Sequence, residues 1–405
     1  MRADIVVVGA GPAGSVAAWR LASAGLQVVI LDRGTFPRDK PCGDAVSRRG
    51  LVVLDRMGLA DWAARFPAPQ TLHLVSPYGR VLEVHHPSYE DEQNGVCYGR
   101  MIPRRSLDER LVEAAIQAGA QLVDGARVRA IELHTSPSTA IVTANGYRVT
   151  APLVILAEGS PATLGHRLGL VRGAAELVAV RQYLAGDGGP VERLEIHFQP
   201  DILPGYVWLF PVGDGYANVG TGTFARRTRR NGRMLPGCLA RFITDQVTTG
   251  GRLAQAEPIG RLQGHPLRTQ LRATVTHTDR LLVAGDTAGL VSPLSGEGIA
   301  SAMESGDLAA TWALSALEHG DLSAAALAGY SRALTKRYGP DHRAARFLRV
   351  ALSTPVWLER IFRALSRDRE LALLIGYIII GHTSPRTALR PAVLWRLLRK
   401  SGCVR

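Results

Sequence analysis

Short apolar runs recur along the chain, and most of them lead directly into glycine or a carboxylate. Runs of four or five β-branched or leucine residues are typical of strands that are buried on both faces of a parallel sheet. Four runs fit this pattern, at residues 5–8, 27–31, 153–157 and 281–284. Helices are predicted after the first and last runs, over 13–24 and 300–317. The pattern predicts an α/β fold.

A different pattern, strict alternation, covers Tyr206-Val-Trp208-Leu-Phe210. Side chains alternate between the two faces of a strand, so Tyr206, Trp208 and Phe210 share one face. That face is either the wall of an apolar pocket or part of an aromatic core, and both readings stay open on the alternation alone.

The C-terminal part of the chain has helical periodicity. Residues 355–365 place Trp357, Leu358, Ile361, Phe362 and Leu365 on one stripe, with charged residues opposite. The apolar run 371–380 is too short to span a bilayer, which needs about 20 residues. We expect it to form core, a substrate tunnel or an interfacial segment.

Charge and cysteine content narrow the class of protein. The 405-residue chain has a formal net charge of +13, but no zinc-finger spacing, aromatic RNA-binding motif or long basic tract accompanies it. We therefore predict no nucleic-acid partner. The cysteines Cys42, Cys97, Cys238 and Cys403 lack paired spacing, so no disulfide framework and no metal site are expected. The N-terminus runs straight into a strand rather than a signal peptide, which predicts a cytoplasmic protein.

The first apolar run leads into a phosphate-binding loop. Gly9-Ala-Gly11-Pro12-Ala13-Gly14 is a GxGxxG pattern between a strand and a helix. Its glycines permit a tight turn, close approach of a pyrophosphate, and close packing of helix on strand. Asp32 ends the next strand, where a carboxylate can accept hydrogen bonds from ribose hydroxyls. Strand, loop, helix, strand and acid together predict dinucleotide binding.

A second glycine-rich region lies far downstream. Gly285-Asp286 ends a buried strand, and Gly296-Glu-Gly298-Ile299 opens a long helix. Asp286 can hold a ribityl hydroxyl. The N-terminus of the helix carries partial positive charge, which would stabilise a reduced isoalloxazine ring.

Together these loops resemble the FAD domain of the para-hydroxybenzoate-hydroxylase-like flavoproteins. Arg104-x-x-Leu107-Asp108 is similar to that class's Arg-x-x-Phe-Asp pattern, which implies that Arg104 contacts the FAD phosphates. Glu158-Gly159 stands where many relatives carry Asp-Gly, a motif linked to FAD and NAD(P)H. No second GxGxxG is present, so the electron donor stays open between NAD(P)H and a reduced ferredoxin or flavin carrier.

Two further segments resemble the geranylgeranyl reductase family. Residues 37–43 are similar to its Pro-x-x-Lys-x-Cys-Gly signature, and residues 206–211 and 218–220 to its Tyr-x-Trp-x-Phe-Pro and Asn-Val-Gly segments. The resemblance implies FAD-dependent reduction of isolated carbon–carbon double bonds in a polyprenyl chain. Hydride would come from flavin N5, and a proton from Cys42 or a water near it.

These patterns and resemblances define the candidate site. Cys42 and Gly43 are the candidate catalytic residues. The candidate FAD-binding residues are Gly9, Gly11, Pro12, Ala13, Gly14, Asp32, Arg33, Cys42, Gly43, Arg104, Val128, Gly285, Asp286, Gly296, Gly298 and Ile299. The candidate substrate-pocket residues are Tyr206, Trp208, Phe210 and Pro293.

The predicted architecture is a Rossmann-type FAD-binding domain interleaved with a mixed-sheet substrate domain, plus C-terminal helices. The FAD-binding domain takes residues 1–60, 101–170 and 276–320, the substrate domain 61–100 and 171–275, and the helical region 321–405. From His382 onward the chain has six basic residues and no acidic ones, interleaved with Trp395 and leucines. This composition suits contact with an anionic membrane on the cytoplasmic face, or a solvated tail.

Two other functions share the same FAD domain. A flavin-dependent monooxygenase (hydroxylase or epoxidase) or halogenase could act on an aromatic or polyketide substrate, although the Trp-x-Trp-x-Ile-Pro halogenase signature is absent. A non-catalytic flavin or prenyl-lipid carrier is the other alternative. The sequence favours the reductase and predicts a hydrophobic small-molecule substrate, while the oligomeric state is left undetermined.

Overall fold

The computed structural model describes residues 1–85, 99–134, 139–225 and 234–400. Cys97, Cys403 and Arg405 therefore lie outside the described residues. In these ranges the strands are β1 Ile5–Val8, β2 Val28–Leu31, β3 Ala45–Ser47, β4 Thr71–Val75, β5 Val81–His85, β6 Gly99–Met101, β7 Gln121–Val123, β8 Val128–His134, β9 Thr139–Ala144, β10 Tyr147–Ala151, β11 Leu153–Leu156, β12 Leu177–Ala185, β13 Arg193–His197, β14 Tyr206–Gly213, β15 Tyr216–Phe224, β16 Glu257–Leu267, β17 His277–Thr278 and β18 Leu281–Val283. The helices are α1 Pro12–Ser23, α2 Arg48–Arg56, α3 Ala60–Ala64, α4 Arg104–Gln117, α5 Thr163–Arg167, α6 Met234–Thr244, α7 Ile299–Glu318, α8 Ala324–Ala351, α9 Pro355–Ser366, α10 Arg369–Ile379 and α11 Pro391–Lys400.

A six-stranded sheet contains the four predicted apolar runs. Its strand order is β17-β18-β11-β1-β2-β7, and all neighbours are parallel except β17 with β18. The residues of β1 and β11 are at most 3% exposed, as expected for strands covered on both faces. Helices α1 and α7 cross closely beside this sheet, because a Cβ at Gly306 would lie 2.1 Å from the Ala13 carbonyl oxygen. The predicted α/β class is confirmed.

The second large sheet has seven strands. Its order is β16-β12-β15-β14-β13-β4-β5, antiparallel throughout except for the parallel pair β13 and β4. The aromatic strand predicted at 206–210 is β14, near the centre of this sheet. A three-stranded meander, β8 to β10, and the short pair β3 with β6 complete the strands of the described ranges.

Helices α8 to α11 follow the long helix α7. On α9, Leu358, Phe362 and Leu365 are buried as the predicted stripe requires, whereas Trp357 in the first turn is 48% exposed. The apolar run 371–380 is mostly helix α10, which packs on the sheet with Gly376 against Val84. The first turn of α10 belongs to the hydrophobic core, since Leu371 is fully buried there. Each helix in the described part of the chain is too short or too polar to cross a bilayer.

Candidate functional site

One cavity of about 610 Å³ extends between the two large sheets. Its lining joins the glycine loops of the six-stranded sheet, the segment 38–47, and side chains of β12, β13 and β14. Two isoleucines at the end of α10, Ile379 and Ile380, close its apolar side. The sequence-predicted residues that line it are Gly9, Gly11, Pro12, Ala13, Asp32, Arg33, Cys42, Gly43, Arg104, Val128, Tyr206, Trp208, Phe210, Gly285, Asp286, Gly296, Gly298 and Ile299.

Two candidates, Gly14 and Pro293, are not part of that lining. Gly14 instead allows α1 to pack on β1, since a Cβ there would lie 1.8 Å from the Gly9 carbonyl oxygen. Pro293 is buried at the start of a turn, and its neighbours Val291 and Leu294 contact the cavity. The prediction of Pro293 as a pocket residue is therefore not matched by its position.

The nucleotide loop has the shape that a pyrophosphate requires. Gly9 has φ +102°, and a Cβ there would lie 2.3 Å from the Ala157 carbonyl oxygen. A Cβ at Gly11, by contrast, would have the Arg38 Nη2 atom at 3.9 Å as its nearest neighbour, so the backbone is open toward the cavity. The N-terminus of α1 has no side-chain cap. Its amides can therefore receive an anionic group, and the residues present fit FAD.

Asp32 ends β2 beside this loop, as predicted. Its carboxylate accepts hydrogen bonds from the amides of Ala10 and Gly34, both at 2.7 Å, while its side chain still lines the cavity. Arg38 lies next to it, 3.4 Å from Asp32 Oδ2 and 2.9 Å from Asp108 Oδ2. Sequence reasoning assigned no role to Arg38, because only the folded chain brings it to both carboxylates.

Arg104 begins α4 at the cavity wall. Its guanidinium forms a bidentate ion pair with Asp108, with Nε at 2.8 Å from Oδ1 and Nη2 at 2.7 Å from Oδ2. The pair is buried, and the charge of Asp108 raises the pKa of Arg104 against the opposing effect of burial. Leu107, which replaces the usual aromatic residue, is fully buried beneath the helix. The ion pair fixes the direction of the guanidinium toward the cavity.

The second glycine region lines the same cavity as the first. Gly285 has φ +66°, and its amide donates to Ser305 Oγ at 2.9 Å. Asp286 lies 3.4 Å from Lys40 Nζ. Gly298 is the N-cap of α7, and a Cβ there would lie 3.1 Å from Val291 Cγ2. The N-terminus of a 20-residue helix therefore faces the cavity through glycine.

Cys42 and Gly43 lie opposite the aromatic strand. A Cβ at Gly43 would lie 3.5 Å from both Trp208 Nε1 and Phe210 Cε2, so this backbone rests on the aromatic rings. The ring centroids of Trp208 are 6.2 Å from those of Tyr206 and 6.5 Å from those of Phe210. Burial raises the pKa of the Cys42 thiol, although the charge of Arg104 opposes the shift. The thiol is therefore protonated at neutral pH.

Two residues, one behind the cavity wall and one in it, had no signal in the sequence. Asp44 is fully buried behind Gly43 and accepts hydrogen bonds from Asn218 Nδ2 at 2.7 Å and from the Tyr183 hydroxyl. His265 on β16 lines the cavity, and burial lowers its pKa to about 4, so the ring is neutral at pH 7. Asn218 lies in the matched Asn-Val-Gly segment, but its contact with residue 44 spans 174 positions of sequence, so no local pattern predicts it.

Glu158, the departure from the Asp-Gly motif, has a definite local contact. Its carboxylate accepts hydrogen bonds from the amides of Leu164 at 3.0 Å and Gly165 at 2.7 Å. The extra methylene thus lets the carboxylate hold the first turn of α5, while Glu158 still lines the cavity. Burial raises its pKa against these two hydrogen bonds.

A family model described as FAD binding domain matches residues 2–183. Together with the paired glycine loops and the aromatic wall, this match defines a flavoprotein: the chain is an FAD-dependent oxidoreductase. It is 34% identical over 371 residues to menaquinone reductase of Mycobacterium tuberculosis, with 88% of this chain and 85% of that protein covered. It is 32% identical over 364 residues to digeranylgeranylglycerophospholipid reductase 1 of Methanopyrus kandleri, with 85% and 89% covered.

The fold has a similar solved structure, a geranylgeranyl bacteriochlorophyll reductase-like protein from Thermoplasma acidophilum. That structure has a TM-score of 0.78 and 23% identity, with 98% of this chain and 96% of the other covered. The chain belongs to the geranylgeranyl reductase family of FAD-dependent oxidoreductases. The resemblance predicted from residues 37–43 and 206–220 is confirmed.

Proposed function

We propose that this enzyme uses reduced FAD to saturate isolated carbon–carbon double bonds in a polyprenyl chain attached to a lipid or quinone. The observation that carries the proposal is the continuity of the cavity, which runs from the nucleotide loop at Gly11 to the apolar wall of Trp208 and Ile380. The two relatives described above are named menaquinone reductase and digeranylgeranylglycerophospholipid reductase. Both names denote molecules with isoprenoid chains.

The residues divide between the two ends of the cavity. Gly9, Gly11 and the N-terminus of α1 would hold the FAD diphosphate, Asp32 the ribose and Asp286 the ribityl chain. Arg33, Arg104 and Val128 would complete the nucleotide side of the site. When bound and reduced, FAD supplies hydride at its N5 atom. The N-terminus of α7 would stabilise negative charge on the reduced ring.

The opposite end would receive the alkene. Tyr206, Trp208 and Phe210 provide a dry aromatic wall, which tolerates positive charge on a carbon being protonated. Cys42 holds a proton on Sγ because burial raises its pKa, so the thiol or a water beside it would serve as the proton source. Because Gly43 has no side chain, the prenyl chain could approach the aromatic wall directly at this position.

We further propose the domain division 1–60, 101–170 and 276–320 for FAD, 61–100 and 171–275 for substrate, and 321–405 for the helical region. The strands of the six-stranded sheet fall in the first set and those of β12 to β16 in the second. We also propose that the C-terminal region contacts an anionic membrane on the cytoplasmic face. Trp395 on α11 is 58% exposed, with the Arg399 guanidinium 5.0 Å from its ring centroid, which is an arrangement suited to a lipid interface.

The test is an anaerobic single-turnover experiment. The purified protein is reduced with dithionite, mixed with menaquinone or geranylgeranyl diphosphate, and followed by flavin absorbance and product mass. We expect reoxidation of the flavin together with a gain of two mass units per reduced double bond, located in the prenyl chain by fragmentation because reduction of the menaquinone ring to the quinol also adds two mass units. A flavin that stays reduced until air is admitted, with oxygen then incorporated into an added aromatic compound, would instead establish the monooxygenase. Lipid binding with no reoxidation by any acceptor would establish a carrier.

The electron donor is tested in the same apparatus. NADPH, NADH or reduced ferredoxin replaces dithionite, and the rate of flavin bleaching is compared among them. We propose that one of these donors reduces the flavin directly, although the sequence has no second GxGxxG motif to bind a nicotinamide donor.

A further inference from the structure

The segment 38–44 is tied to the rest of the site at several points. Asp39 accepts two hydrogen bonds from Arg181 Nη2, at 2.8 and 2.9 Å, and a third from Gln263 Nε2 at 3.2 Å, while Lys40 pairs with Asp286. Residues 38–43 and 45–47 all line the cavity, whereas the intervening Asp44 is fully buried and is not part of the lining. Any effect of Asp44 on the reaction must therefore pass through its neighbours.

Asp44 is held by three elements at once. It is fully buried, with φ +62°, a left-handed conformation that aspartate tolerates better than most residues. Its Oδ1 accepts from the Arg104 amide of α4 at 3.1 Å. Its Oδ2 accepts from Asn218 Nδ2 of β15 at 2.7 Å and from the Tyr183 hydroxyl of β12. The carboxylate thus joins the FAD side of the cavity to the seven-stranded sheet.

Asn218 extends this connection to the aromatic wall. Its Nδ2 donates to the Cys42 carbonyl oxygen at 2.7 Å as well as to Asp44. Its Oδ1 accepts from Trp208 Nε1 at 2.9 Å. One buried amide therefore fixes the backbone of Cys42, the carboxylate of Asp44 and the indole of Trp208 relative to one another.

We propose that Asp44 is a positioning residue: through Tyr183 and Asn218 it holds the Cys42–Gly43 segment in register with the aromatic wall. This inference rests on the proposed function, because it concerns the distance between the alkene and the proton side of the site. Displacement of a reacting group by about 1 Å can slow a reaction about 100-fold. The carboxylate sets that distance without contacting the substrate.

The mildest test is Tyr183→Phe, which removes one hydroxyl from the carboxylate and keeps the ring. Tyr338→Phe is the matched control, because the Tyr338 hydroxyl also donates to a carboxylate, that of Glu304, and neither residue lines the cavity. We expect Tyr183→Phe to slow alkene-dependent flavin reoxidation about tenfold at saturating substrate. The substrate concentration at half-maximal rate should change little, and Tyr338→Phe should resemble the wild type.

Asp44→Asn and Asn218→Asp test the pair directly. Asp44→Asn sets an amide donor against Asn218 Nδ2, and Asn218→Asp sets two carboxylates together. Each single variant should slow reoxidation about 100-fold. The double variant Asp44→Asn/Asn218→Asp restores one donor facing one acceptor and keeps the acceptor for Trp208 Nε1, but it loses the donor to the Cys42 carbonyl oxygen. It should recover part of the rate, which a general loss of stability would not produce.

All variants are compared per bound flavin, with geranylgeranyl diphosphate and menaquinone as probes. If the wild type is not reoxidised by either probe, the proposed function fails before any variant is considered. If the wild type is reoxidised but Tyr183→Phe and Asp44→Asn match its rate, Asp44 has no positioning role. A loss of rate that only follows a loss of bound FAD also overturns the inference.

Discussion

At the residue scale, glycines with similar backbone angles serve different purposes. Gly9 has φ +102° and faces the Ala157 carbonyl oxygen, so both its angle and its missing Cβ are required. Gly25 has φ +87°, but a Cβ there would meet nothing within 4 Å. The first glycine shapes the nucleotide loop, whereas the second only ends helix α1.

We therefore predict that Gly9→Ala abolishes FAD binding, because a Cβ 2.3 Å from a carbonyl oxygen forces the loop to move. Gly25→Ala is the control, and it should cost only about 1–2 kcal/mol of stability from its left-handed angle. Bound flavin per chain, measured by absorbance after gel filtration, distinguishes the two. A yellow Gly9→Ala protein with full flavin content would show that the loop is not needed in this shape.

We expect Asp44 to give the reaction a pH dependence. Burial raises its pKa to about 6, with the hydrogen bonds from Tyr183 and Asn218 opposing the shift. The charged or titratable groups that face it are Arg104, Arg181, Tyr183 and Cys42. Only the ionised carboxylate accepts all of its hydrogen bonds. We therefore expect the rate of alkene-dependent reoxidation to rise with pH through about 6.

Stability should respond to the same group in the opposite direction. Since the pKa in the folded state exceeds that of the unfolded chain, the contribution of Asp44 to stability is fully present below the unfolded value and is lost as pH rises through about 6. Asp44→Asn removes both dependences. Stopped-flow rates and urea midpoints over the same pH series check this, and a rate profile that persists in Asp44→Asn would assign the dependence to another group.

At the element scale, the sequence predicts what is local. The strands β1, β2, β11 and β18 were visible as apolar runs, because a strand buried on both faces needs apolar side chains throughout. The strand order of the seven-stranded sheet could not be predicted in this way. Its strand β4 pairs with β5 and also with β13, which lies more than a hundred residues later in the chain. The same limit applies to the site: Gly9 and Cys42 lie in motifs, whereas Arg38, Asp44 and His265 gain their contacts only by folding.

Helix α10 offers a prediction about substrate length. Its last turn brings Ile379 and Ile380 to the apolar side of the cavity. Ile380→Phe should fill part of that side, where an added methylene or ring costs about 1–3 kcal/mol. We expect kcat/KM for geranylgeranyl diphosphate to fall about tenfold, and the value for the shorter geranyl diphosphate to fall less.

Ile259→Phe provides the control for added bulk. Ile259 lies on β16, is 43% exposed and is not in the cavity lining. It should leave the ratio of the two kcat/KM values at the wild-type level. An equal loss for both substrates in Ile380→Phe would mean that α10 affects folding or access rather than chain length.

At the scale of the whole molecule, positive charge and exposed apolar side chains coincide on the C-terminal helices. Phe347 and Val350 near the end of α8 are 67% and 69% exposed, and Trp357 at the start of α9 is 48% exposed. Arg360 lies over the Trp357 ring at 5.1 Å. Large apolar side chains at the surface of a chain with net charge +13 suit an anionic lipid surface, where basic groups are attracted and aromatic rings insert.

We predict that the protein binds vesicles containing phosphatidylglycerol more tightly than vesicles of phosphatidylcholine alone, and that salt weakens this binding because it screens the arginines. Trp395→Ala/Leu398→Ala should reduce the vesicle partition constant, measured by co-sedimentation, about tenfold, since it removes two side chains worth roughly 1–2 kcal/mol together at an interface. Both side chains are on α11, 58% and 44% exposed.

Tyr216→Ala is the matched control, because Tyr216 is an aromatic residue with 44% exposure at the start of β15 in the seven-stranded sheet. Its vesicle binding should equal that of the wild type, and the flavin of all variants should still be reoxidised by detergent-dispersed menaquinone. Such a result would separate lipid attachment from catalysis: α11 would deliver the enzyme to its substrate, and the cavity would act on it. Equal sedimentation of all variants with anionic vesicles would place the contact on another face, or reduce it to charge alone.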